Sequence, residues 1–74
     1  MRVRVFLRQS LFSMKGEHLP AAAVILDGDL VEVNALGVRV RVSKWSDEKG
    51  RELSGEARDL LIPEAKLDHI AYLT

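Results

Sequence analysis

Apolar and polar residues alternate along most of this chain with the two-residue period of half-buried strands. Val3, Val5 and Leu7 interleave with Arg2, Arg4, Phe6 and Arg8, which predicts a first strand with one apolar and one mostly basic face. Between 21 and 44 the same period recurs around two turn signals. Asp27-Gly28 lies between Ala21-Ala22-Ala23-Val24-Ile25-Leu26 and Asp29-Leu30-Val31-Glu32-Val33, the dipeptide context that most strongly favours a two-residue hairpin turn. Leu36-Gly37 marks a second reversal. Turns at these two places predict a three-stranded meander whose inward residues are Ala22, Val24, Val31, Val33, Val40 and Val42. Glu32 then falls opposite Arg41, and Arg39 opposite Asn34. Val33→Asp is therefore expected to destabilise the fold strongly. The other face, with Ala23, Ile25, Leu30 and Leu36, is apolar enough to call for a cover: the N-terminal segment, a C-terminal helix or another subunit.

Segment 10–20 reads as a connection punctuated by Gly16 and Pro20. Its Leu11, Phe12, Met14 and Leu19 point to packing against the body or to continuation of a strand. Ser46-Asp47-Glu48-Lys49-Gly50-Arg51 has the form of a type I turn closed by a left-handed glycine, which lets the preceding strand run through Trp45. From Leu60-Leu61-Ile62-Pro63 onward two readings stand. Either a strand passes through one helical turn at Glu64-Ala65-Lys66 into a last strand over 67–73, or a helix starts at Pro63 with Leu67, Ile70 and Ala71 on one face. The strand reading is preferred because it helps cover the edges of the meander.

The resulting expectation is one mainly β domain over 1–74, a five- to six-stranded antiparallel barrel or strongly bent sheet. A short helical turn falls near 63–66; the alternative is an α+β fold with a C-terminal helix. The segment Leu61-Ile62-Pro63-Glu64-Ala65-Lys66-Leu67-Asp68-His69-Ile70 resembles the end of small SH3-like and Sm-like barrels. In those folds a fourth strand passes through one tight helical turn into a short fifth strand. The resemblance implies a small binding or assembly barrel, and no functional residue is carried over from it.

Composition narrows the function classes. At 74 residues with no cysteine, the chain has neither disulfides nor thiolate chemistry to supplement a small core, so self-association is an expected source of stability. The absence of cysteine fits a cytoplasmic location, and no run reaches the length of a membrane span. Lys plus Arg and Asp plus Glu each number 11, so no net field steers the molecule to nucleic acid or membrane. With charged residues at 30% and only Gln9 and Asn34 as side-chain amides, the composition hints at a heat-adapted source.

His18 and His69 are far apart in sequence, Asp68-His69 are neighbours that a strand would point apart, and no serine stands in a Gly-x-Ser-x-Gly elbow. Asp27-Gly28-Asp29 is explained by hairpin chemistry without calcium, and the five glycines are too dispersed to form a phosphate loop. The reading is thus a non-enzymatic binding or assembly module without catalytic residue, cofactor or metal, forming a homo-oligomer, with a protein partner as a further option. The runner-up is RNA or single-stranded DNA binding by Arg39, Arg41, Lys44 and Trp45, joined by Arg2, Arg4 and Arg8. There arginines would grip phosphates and the indole would stack on a base.

Overall fold

The computed structural model describes residues 1–10 and 20–73. The expectation for the connection, including Leu11, Phe12, Met14, His18 and Leu19, falls largely outside them. Among the described residues six strands follow in order: β1 (Arg2–Leu7), β2 (Ile25–Asn34), β3 (Gly37–Ser46), β4 (Glu52–Leu53), β5 (Arg58–Pro63) and β6 (Leu67–Tyr72). A single 3-10 turn at Glu64–Lys66 joins the last two, so the strand reading of the C-terminus holds and no helix starts at Pro63. The strands form one antiparallel sheet in the order β4-β3-β2-β1-β6, with β5 also paired to β3, curled into a half-barrel.

β1 follows its alternation: Val3, Val5 and Leu7 are buried, while Arg2, Arg4 and Phe6 lie on the outer face. The meander does not turn at Asp27-Gly28. β2 runs through both residues because Gly28 packs between Val3 of β1 and Val42 of β3, where a Cβ would stand 2.1 Å from the carbonyl oxygen of Arg41. Glycine here permits close backbone approach in mid-strand, a use that the hairpin reading of the same dipeptide misses. The reversal lies at Ala35-Leu36, with Asn34 opposite Gly37. The Asn34 carboxamide oxygen accepts the Leu36 and Gly37 amides at 2.9 and 3.3 Å, an Asx turn.

Moving that turn rewrites the register. Val33 pairs with Val38, Leu30 with Val40 and Gly28 with Val42, while Glu32 faces Arg39 and Asp29 faces Arg41. Of the expected inward set only Val40 and Val42 are fully buried. Val24 is half-buried, and Ala22, Val31 and Val33 are exposed. Two irregularities complete the pattern. Val31 is an extra residue on β2, and Ser43 an extra residue on β3. Because strand faces alternate, the bulge at Ser43 reverses parity and lets Val38, Val40, Val42 and Trp45 all point inward.

The core is Val3, Val5, Leu7, Ala23, Leu26, Val38, Val40, Val42, Trp45 and Ile62. Burying a side chain of valine-to-phenylalanine size contributes about 1.5–3 kcal/mol, and these ten stand against the chain entropy of a small domain. Trp45 satisfies its polar atom inside: Nε1 donates to the Glu56 carbonyl at 2.9 Å. The loop after β3 forms as expected. Gly50 adopts φ +82°, its amide donates to the Asp47 carbonyl at 3.0 Å, and the Asp47 carboxylate accepts the Lys49 and Arg51 amides and Arg51 Nε, each at 2.9 Å. Those donors, the Arg51 amide foremost, hold the Asp47 carboxyl below its ordinary range.

Candidate functional site

The register sorts the side chains that sequence reasoning grouped into a basic surface. On the outer face, cross-strand partners form rows running across the sheet. One row is Arg2, Asp29, Arg41 and Asp59, on β1, β2, β3 and β5. The next is Arg4, Asp27 and Lys44, with Glu52 placing Oε1 3.7 Å from Lys44 Nζ. Charge alternates in sign along both. Arg39 makes a two-armed contact with Asp59, Nε to Oδ1 at 3.1 Å and Nη2 to Oδ2 at 2.9 Å. That contact raises the Arg39 guanidinium and lowers the Asp59 carboxyl from their ordinary values.

Arg2, Arg4, Arg39, Arg41 and Lys44 therefore each stand beside a carboxylate, and the rows have no net excess of positive charge; Arg8 Nε instead donates to the Leu67 carbonyl at 2.7 Å. Arg39, Arg41 and Lys44 do share the outer face of β3. Trp45 does not join them: at 1% exposure, with its indole N–H engaged inward, it presents no ring to a base. This corrects the expectation that Trp45 belongs to an exposed binding surface. The parity reversal at Ser43 is the cause. The expected Glu32 to Arg41 pairing is likewise replaced by Glu32 opposite Arg39 and Asp29 opposite Arg41.

Two other features were not legible as sites. The first is the distal end of the β2–β3 hairpin. β1 covers β2 only as far as Asp29, so Val31, Val33 and Leu36 project beyond it, 44%, 67% and 72% exposed. Val33 shares its face with Val38 and Ile62, both buried, so the core surface continues into solvent. Leu61, 46% exposed, pairs with Arg39 and so lies on the outer face of β5, opposite to Ile62. The sequence signal was Asn34-Ala35-Leu36-Gly37, whose asparagine and glycine bracket the true turn.

The second is a hollow of ≈ 140 Å³ on the outer face, lined by Arg4, Phe6, Ile25, Lys44, Ser46 and Gly50. Its residues come from β1, β2, β3 and the turn after β3. Phe6 is held by His69, whose ring stacks on it at 4.2 Å with 11° between planes. Arg4 is held by Asp27. The signal for this hollow was already present in the lone aromatic, Phe6, among the outward arginines of β1.

Among the described residues no cluster of three or more His, Cys, Asp or Glu could hold a metal ion. His69 Nδ1 lies 3.1 Å from Asp68 Oδ2, with both side chains mostly exposed. No helix among the described residues is long and apolar enough to cross a membrane. No protein-family model, curated protein or solved structure matches the chain.

Proposed function

We propose that this protein is a non-enzymatic binding and assembly module that self-associates through the distal end of its β2–β3 hairpin. The observation that carries the reading is the exposed apolar group Val31, Val33 and Leu36 at this end, in which Val33 pairs with the buried Val38 and through it lines up with the buried Ile62. A second copy would remove this surface from water, and a small single-core domain gains from that burial. The bulge at Val31 breaks the regular donor and acceptor spacing of the strand edge, which favours contact through side chains over strand addition. A small, strongly curled antiparallel sheet is a type of fold that hosts many binding functions, which supports the reading. The RNA or single-strand reading is weaker on two counts: Arg39, Arg41 and Lys44 are matched with carboxylates, and its stacking residue is in the core.

Sedimentation velocity across a concentration series tests the proposal. The expected result is a concentration-dependent rise above monomer mass, abolished by Val33→Asp with the fold retained. A strict monomer throughout the series overturns it.

A further inference from the structure

The hollow on the outer face has the properties of a small-ligand site. We infer that it binds a compact planar molecule of single-ring size bearing one anionic group, with the ring against Phe6 and Ile25 and the anion at Lys44. The volume, ≈ 140 Å³, is close to that of an apolar cavity known to admit a benzene ring, about 150 Å³. Phe6 and Ile25 supply the apolar contact, and the stack of His69 on Phe6 limits the freedom of the ring that a ligand would meet. The rim at Gly50 is held from below by the Asp47 carboxylate, so the wall is largely formed before a ligand arrives.

The preference for an anion follows from how the charges are spent. Arg4 and Asp27 neutralise each other through Nε to Oδ1 at 2.7 Å and Nη2 to Oδ2 at 3.1 Å, which leaves Arg4 Nη1 without a hydrogen-bond acceptor among the described residues. Among the described residues Lys44 forms an ion pair only with Glu52, at 3.7 Å, with side chains 45% and 70% exposed, a contact of small worth that an anion in the hollow can replace. The ligand carboxylate or phosphate would thus meet one ammonium and one guanidinium N–H, while its apolar body displaces water from Phe6 and Ile25. The hollow shares no residue with the hairpin end, so this inference stands or falls independently of self-association.

The test is a titration of the ¹⁵N-labelled protein with benzoate, phenyl phosphate, benzyl alcohol and benzylamine, followed by amide shifts. The expected result is perturbation centred on Phe6, Ile25, Lys44, Ser46 and Gly50, with both anions tighter than benzyl alcohol and benzylamine weakest. Lys44→Met should weaken benzoate about two- to five-fold, the scale of one exposed ion pair, and leave benzyl alcohol unchanged. Glu52→Gln should tighten benzoate by a similar factor, a gain that damage to the fold could not mimic. Shifts confined to the hairpin end, benzylamine binding as tightly as benzoate, or no response to Lys44→Met would each overturn the assignment.

Discussion

The Asp27 carboxylate, its side chain only 8% exposed, takes two arms of the Arg4 guanidinium across the β1–β2 ladder. Arg4 covers a charge that β2 would otherwise bury alone, and the contact raises the guanidinium further above its ordinary value. Removing the cover should cost more than removing both charges. Arg4→Ala is expected to lower Tm clearly in the wild-type background and much less in an Asp27→Asn background. Thermal melts of the four proteins of this double-mutant cycle give the coupling directly, and additive shifts would show that the pair is not coupled.

Val33 and Val42 look equivalent in the sequence and are opposites in the structure. Val42 is fully buried, so Val42→Asp should cost roughly 3 kcal/mol or more, enough to leave a domain of this size largely unfolded. Val33 is 67% exposed, so Val33→Asp should leave the dilute monomer's melting within about 0.5 kcal/mol of wild type. Circular dichroism melts at low protein concentration separate the two.

Gly28 and Gly50 respond oppositely to the same replacement. In mid-strand, against the Arg41 carbonyl, Gly28→Asn forces backbone displacement and should cost about 1–3 kcal/mol or more. Gly50 has φ +82° and open space where a Cβ would go, and asparagine tolerates that backbone region, so Gly50→Asn should be mild. A true turn at Asp27-Gly28 would instead accept asparagine at both sites.

Acid should weaken the fold through Asp47 and Asp59. Both carboxyls are depressed in the folded state, Asp47 chiefly by the Arg51 amide and Asp59 chiefly by the Arg39 side chain. Their contribution is therefore fully present above the unfolded aspartate value of about 3.9 and is lost as pH falls below it through the folded values. Tm measured from neutral pH downward should drop in that window, and the combined Asp47→Asn and Asp59→Asn variant should show a shallower drop. In parallel, Arg39→Ala should move the Asp59 carboxyl back up when followed by NMR titration.

Local chemistry determined much of this protein. The alternation of β1, the Asp47 to Gly50 loop, and the passage from Ile62 through Pro63 and a single turn into β6 each follow from residues within a few positions of one another. Three long-range facts lay beyond that reach. Gly28 is a contact with Arg41 thirteen positions away, so an Asp-Gly signal that reads locally as a turn is overridden by sheet packing. The bulges at Val31 and Ser43 each shift register by one residue, and in a structure of period two one residue decides which face a side chain occupies. The step at Ser43 put Trp45 in the core and brought Lys44 beside Arg4 and Phe6 at the hollow, whereas Val33, on the core face, lies in solvent because the hairpin runs past the end of β1. The sequence by itself determined the strand over 2–7, the run of β3 through Trp45 and the strand–turn–strand passage at the C-terminal end, but not that β2 runs through Asp27-Gly28. Only tertiary pairing decided which of their faces would be surface, because that depends on partners the local chain does not contain.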